Sequence, residues 1–313
     1  MSRFCLSYLF PALLLNLWGG AMAAPGTIDF TVPEPAAAAH IMRVELQPPH
    51  GSRLSPDIEQ AAHRGILERC RLLRPEQDVL PRLTRRAGAV YLQLYTPLSA
   101  PAGSRIDDHL QLCLNYTPRT AFLRVHPQSE QLLRRGDIHD IIARYEQEMT
   151  TWMESPRTTP PPAPAPLPHS GETAGYMLVE YPRLTEDGTH CYDYLIVRQP
   201  EAARAEGQLV TNHDISECRT VAPPASGTPR HPGLEIRLHR QAAERFTALT
   251  RSIAADKGHL VVVADGSVLC YLAIPVELGS RFRLYDSSLP TLHAALLPPL
   301  PCRVRLVAQP TTR

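Results

Sequence analysis

Cysteine and histidine come together twice in this chain: His190 precedes Cys191, and His213 stands shortly before Cys218. A thiol beside an imidazole is how a nucleophilic thiolate is made, with the ring taking the proton and a third group holding the ring. Neither pair completes that arrangement. His190 and Cys191 are neighbours in an extended run, so their side chains point to opposite faces, and no orienting group stands near either pair. Asp137, His139 and Asp140 in GDIHDI offer metal-ligand types at close spacing. They open an amphipathic helix, where acidic residues are expected from the helix dipole alone. His259 and His293 read as surface or boundary residues. There is no H-E-x-x-H, no G-x-S-x-G, no P-loop and no G-x-G-x-x-G. The residues therefore read as those of a non-enzymatic protein with no metal and no cofactor. A hydrolase is opposed only by the missing motifs.

The remaining cysteines depend on the compartment. The chain begins MSRFCLSYLFPALLLNLWGGAMAAPG, with a basic start at Arg3, an apolar run from Phe4 to Trp18 and Ala21-Met22-Ala23 as an A-x-A site. This predicts a secretory signal over residues 1–23 and a periplasmic location. A retained anchor is the alternative, but the run is shorter than the roughly 20 residues a spanning helix needs, and Pro11 interrupts it. No later segment approaches a membrane span. Removing Cys5 leaves Cys70, Cys113, Cys191, Cys218, Cys270 and Cys302, an even set in an oxidising space, where disulfides form. No C-x-x-C occurs among them, which argues against a zinc knuckle or a thioredoxin-type site. A net charge of +1 over 313 residues gives no basic footprint for nucleic acid.

The elements that position these residues follow from periodicity. HIMRVEL (40–46) alternates as a half-buried strand. Ile58, Ala62, Ile66, Cys70 and Leu73 recur at helical steps after the Ser55-Pro56 start. DVLPRL is a weak strand, AVYLQLY (89–95) a clear one, Ser104 opens a second helix through Cys113, and AFLRVH (121–126) is a further strand. The order βαββαβ is the ferredoxin-like arrangement. If its first and third strands are parallel neighbours, Cys70 and Cys113 lie near the ends of parallel helices on core-facing stripes and are placed to form a disulfide. A reduced buried cysteine packing as a small hydrophobe is the alternative.

Residues 128–155 hold an amphipathic helix with Ile138, Ile141, Ile142, Tyr145, Met149 and Trp152 at helical spacing. A proline-rich linker follows over 156–171. The second half reads as antiparallel α+β: a hairpin from YMLVEYPRL to THCYDYLIV turning at Asp187-Gly188, the alternating strand GLEIRLH, and a helix over 240–257 stopped by Gly258. A second hairpin turns at Asp265-Gly266. FRLYD, a short helix over LPTLHAALL and a last strand CRVRLVAQ complete it.

The succession GLEIRLHRQAAERFTALTRSIAADKGHLVVVADGSVLCYLAIPV resembles the head subdomain of the periplasmic region of the SecD family, a membrane component of bacterial protein export. Ala243, Phe246, Leu249, Thr250, Gly258, Asp265, Gly266 and Pro275 stand at its motif positions. LPTLHAALLPPLPCRVRLV is similar to the family's return segment, and IEQAAHRGILERCRLLRPEQDVLPRLTRRAGAVYLQLYTPL resembles its base subdomain. The sequence departs where Cys70 and Arg71 blur the helix motif and where YTPL replaces a Pro-Gly ending. With the signal over 1–23 and the linker over 156–171 read from the residues, the resemblance implies an α+β chain with a ferredoxin-like base over 24–127 and a helical insertion over 128–155. It implies a SecDF-type head over 172–290 and a return helix and strand over 291–313. The family's proton-coupled membrane helices have no counterpart here.

What the resemblance implies for function is a protein that binds polypeptide, or docks on an export or envelope machine, without catalysis. Antiparallel strands with open edges suit this, because an extended chain can add to an edge through backbone hydrogen bonds. Tyr192, Tyr194, Tyr271, Leu272 and Phe282 are the candidate lining; tyrosines that merely cover the core are the alternative. A second reading is a scaffold subunit that meets a folded envelope partner through the helix of 137–154.

Overall fold

Apolar residues at every second position make β1 (His40–Gln47) a strand with Met42 and Val44 turned inward, and a helix, α1 (Pro56–Leu73), follows it. The computed structural model describes residues 40–48, 54–73, 81–95, 106–154, 167–168, 171–184, 190–223, 232–285 and 289–308. The expected signal, most of the expected proline-rich linker and the expected Asp187-Gly188 turn lie outside these. The described residues divide into two compact units: Pro118–Pro298, and the residues up to Thr117 together with those from Pro299 on.

The smaller unit continues with β2 (Arg82–Arg86), β3 (Ala89–Leu94) and α2 (Ile106–Asn115). A tight turn at Ala87 (φ +47°) and Gly88 (φ +79°) joins β2 to β3. The fourth strand of this sheet is Arg303–Ala308 at the other end of the sequence, which pairs with β1 from Met42↔Ala308 to Gln47↔Arg303. The sheet is antiparallel throughout, and its order is fourth-first-third-second, the ferredoxin-like one. Two expectations are corrected here. The first and third strands run antiparallel, not parallel, and residues 121–126 belong to another sheet. The cause is visible in the residues. Arg303 and Arg305 alternate with buried Val304 and Leu306, which suits the rim of a sheet covered on one face. Ala121, Phe122 and Leu123 are consecutive and all buried, which demands cover on both faces.

The larger unit opens with that strand, β4 (Thr120–Arg124), then α3 (Ser129–Leu133) and α4 (Gly136–Glu154). It continues with β5 (Tyr176–Leu184), β6 (His190–Arg198), α5 (Pro200–Ala205), β7 (Val210–Thr211) and β8 (Ile215–Val221). Then come β9 (Gly233–Leu238), α6 (Arg240–Ala255), β10 (His259–Ala264), β11 (Ser267–Ala273), β12 (Arg281–Leu284) and α7 (Leu289–Leu296). The final strand Arg303–Ala308 is thus β13. The hairpin of β10 and β11 turns at Asp265 (φ +49°) and Gly266 (φ +89°), the two positive φ values a type I′ turn requires.

One sheet of this unit has the order β6-β5-β11-β10-β4-β7. The end of β4 also reaches β6 through the bridge Val125↔Val197, and the His126 amide donates to the Ile196 carbonyl at 2.8 Å. Five strands therefore close into a ring. Small residues make this possible: Ala121, Val125, Val179, Val197, Val261 and Val263 share one buried cluster. The other sheet, β12-β9-β8, is antiparallel, and among the described residues its two outer strands each have one strand partner. The buried face of α6, with Ala242, Phe246, Leu249 and Ile253, packs into a core shared with residues of both sheets, and Phe122, Phe246 and Phe282 meet there. Phe246 stacks on Phe282 at 4.6 Å, and Phe122 meets Phe246 edge-on at 5.4 Å. Ile138 is buried with Leu132, Leu178 and Ile196 in a core that α4 shares with β5 and β6.

Candidate functional site

The sequence-derived lining residues fall into different cores. Tyr194 packs against the cluster under α4, meets Tyr145 edge-on at 6.4 Å, and its hydroxyl donates to Glu146 Oε1 at 3.3 Å. Tyr271 lies against the core of the strand ring, stacked with His259 at 4.6 Å and tilted against Tyr181 at 5.5 Å. Burial, then the charge of Glu130, pushes its hydroxyl pKa up. Leu272 packs on the core around α6, and Phe282 is buried in that core. The Tyr192 side chain lies outside the described residues. The four that are described do not converge on one surface.

The chemical candidates also separate. His213 is exposed while Cys218 is buried, and the side chains of His190 and Cys191 lie outside the described residues. Asp137 accepts from Arg135 at 2.9 Å, and His139 and Asp140 are exposed. Among the described residues no three His, Cys, Asp or Glu side chains gather as a metal site would require. His293, read from the sequence as a boundary residue, is buried, with Nε2 3.3 Å from the Cys218 carbonyl. An apolar stripe on a short helix drew it inside. Cys70 and Cys113 share one core and are thiols. Burial, then the neighbouring Cys113, pushes the Cys70 pKa up to about 12. A cleft of about 310 Å³ beside Tyr176 contains Arg124 and Arg198, but Arg198 already pairs with Glu206 and Arg124 with Asp256.

A charged site with no counterpart among the sequence-derived candidates lies on the outer face of the sheet β12-β9-β8. In β9, Leu234, Ile236 and Leu238 point into the core, which sends Glu235 and Arg237 outward. In β12, Phe282 and Leu284 point in, and Arg281 and Arg283 out. β8 joins the pattern through a bulge. Its register shifts between Ile215 and Glu217, so Ile215 and Cys218, three residues apart, both face the core, and Glu217 and Arg219 face out. The Ser216 hydroxyl donates to the Arg237 carbonyl at 3.0 Å and holds the bulge.

The result is two cross-strand rows, Glu217–Arg237–Arg281 and Arg219–Glu235–Arg283. Glu235 accepts from Arg219 Nε at 2.9 Å, Arg281 Nη2 at 2.5 Å and Arg283 Nε at 3.2 Å. Its side chain is only 5 % exposed because the three arginines fold over it, while they remain 53 %, 58 % and 53 % exposed themselves. The bonds from Arg281 and Arg219 hold its pKa at about 2. The next row ends on Gly233, where the Tyr285 ring lies 2.6 Å from the place a Cβ would take. The alternation was legible in GLEIRL and FRL; the bulge in β8, which completes the face, had no sequence signal.

The rims of the two open sheets differ. At β13, Asn115 Nδ2 donates to the Val304 carbonyl and its Oδ1 accepts from the Val304 amide, both at 2.8 Å, and Gln111 Oε1 accepts from the Leu306 amide at 3.1 Å. Two side chains of α2 thus occupy that rim. Among the described residues, β12 has a strand partner on one side only.

No family model matches the chain, and no curated protein matches it. Solved structures are similar to it, three of them as follows. One is described as a membrane component SecDF that enhances protein export, at 14% identity and a TM-score of 0.33, with 87% of this chain and 99% of that one covered. The second is SecDF in a super-membrane-facing form, at 14% identity and a TM-score of 0.35, with 95% and 33% covered. The third is SecDF, a translocon-associated membrane protein from Thermus thermophilus, at 14% identity and a TM-score of 0.30, with 95% and 34% covered. This chain spans about a third of the length of the latter two. Among the described residues no helix is long and apolar enough to cross a membrane.

Proposed function

We propose that this chain is an exported, non-enzymatic protein that binds extended polypeptide and works beside a protein-export or envelope-assembly machine. The observation that carries the binding half is the open rim of β12. A strand with one partner presents backbone donors and acceptors that an extended chain of any sequence can meet. The β13 rim, filled by Asn115 and Gln111, supports the same reading by contrast, since cover was available to this fold and β12 lacks it among the described residues. The export setting rests on the signal-like first residues and on the order of SecD-like motifs from Ala243 to Pro275.

The alternative, a scaffold docked through the helix of 137–154, has less support, because Ile138, Tyr145, Met149 and Trp152 are buried and leave its polar face for a partner. The test is equilibrium binding of a labelled, permanently unfolded polypeptide to the purified mature chain. Saturable binding is the expected result. No binding, beside tight capture of one folded envelope protein, would overturn the proposal.

A further inference from the structure

Four arginines and two glutamates make the outer face of β12-β9-β8 a patch with two excess positive charges, and their arrangement is ordered. Arg281 and Arg283 occupy successive outward positions of the rim strand, with buried Phe282 between them and buried Leu284 after them. A strand added beside β12 would set every second side chain next to an outward residue of β12, at about 5 Å between Cβ atoms. Its intervening side chains would lie beside Phe282 and Leu284. The guanidinium groups are also held in place. Glu235 anchors Arg219, Arg281 and Arg283, using one or two of the five N–H donors each arginine carries. Arg237, exposed between them, has no ion pair among the described residues.

We infer that β12 selects extended segments with acidic residues at alternate positions and apolar residues between them. The acidic side chains would meet Arg281 and Arg283 in bidentate pairs, and the apolar ones would extend the core at Phe282. This rests on the polypeptide-binding reading and adds the class of polypeptide. The other rim, β8, carries Glu217 and Arg219 in the corresponding places, opposite charges that favour neither sign. An anionic membrane is the rival partner for any arginine patch. It has no use for a rim of period two, and the aromatic ring this face offers among the described residues, Tyr285, lies against Gly233.

The experiment uses the full mature chain and three synthetic peptides of equal length, with Glu, Gln or Lys alternating with valine. Vesicles of phosphatidylglycerol form a fourth arm. The Glu peptide is expected to bind roughly tenfold tighter than the Gln peptide at low salt, as two or three exposed pairs supply, and the Lys peptide most weakly. Arg237, opposite Arg281, adds to the positive field at the rim. Arg237→Gln, and more strongly Arg237→Glu, should therefore shrink the Glu preference while Gln-peptide binding stays unchanged. The melting temperature of each variant is read beside it, because Arg237→Glu faces Glu217. Equal binding of all three peptides would overturn the acidic selection and leave polypeptide binding standing. No peptide binding would overturn both. Vesicle binding lost in Arg237→Glu, with no peptide binding, would assign the patch to a membrane.

Discussion

Asn115 and Val304 form a reciprocal pair: the carboxamide donates to the Val304 carbonyl and accepts from its amide, each at 2.8 Å. A side chain on a helix thereby acts as one residue of a neighbouring strand. Asn115→Ala leaves both backbone groups without their protein partner. It should cost about 1–3 kcal/mol, read from denaturant melts. The same variant uncovers the β13 rim, so sedimentation should show more self-association. A melt unchanged from the parent would mean that water replaces the amide fully.

Helix α6 ends one residue earlier than its glycine suggests. Lys257 takes the left-handed conformation (φ +52°), and the Gly258 amide donates to the Ile253 carbonyl at 2.8 Å. That is a Schellman end with lysine where glycine is preferred. Lys257→Gly should therefore stabilise the chain by about 1 kcal/mol, since the left-handed penalty disappears. A lower melting temperature would contradict this reading.

That helix end illustrates what the sequence carries. Periodicity located α6, the β10–β11 hairpin and the alternation of β9, because their faces are set by local residue order. It misassigned residues 121–126, since a buried run is compatible with any central position and only pairing with β10 decides the sheet. Amphipathicity within 128–155 showed that one face of a helix is covered, not that residues of β5 and β6 cover it. The arginine face needed three strands far apart in sequence and a bulge at Ser216. The alternation of β9 and β12 is local, but neither their pairing nor the bulge leaves a local signal. The tyrosines drew attention by type, and the structure gives them to different cores.

Acid should loosen the outer face of β12-β9-β8. Glu235 has its pKa held at about 2, below the usual 4.5, by Arg281 first and Arg219 next. A carboxyl depressed on folding contributes its stability in full above about pH 4.5 and loses it as pH falls toward 2. The parent should therefore lose stability across that window more steeply than Glu235→Gln, which has no such proton to take up. Parallel acid melts of the two proteins test this; curves of equal slope would rule the carboxylate out as a contributor.

Phe282 is a poor probe of binding and a good probe of the core. Stacked on Phe246 and close to Phe122, its replacement by alanine should cost about 3–5 kcal/mol. Tyr271→Ala and Tyr194→Ala remove residues packed on other cores, away from β12. Both should leave the affinity for unfolded polypeptide unchanged once folded protein is confirmed by near-ultraviolet dichroism. A clear loss of affinity in either would return the site to the tyrosines.

Amide hydrogen exchange of the full chain, with and without saturating unfolded polypeptide, tests the central claim most directly. Strand addition at the open rim predicts slowed exchange at Arg281–Leu284, with β13 unchanged because Asn115 and Gln111 already fill its rim. Bound polypeptide with no slowing in β12, or with slowing confined to another strand, would contradict it.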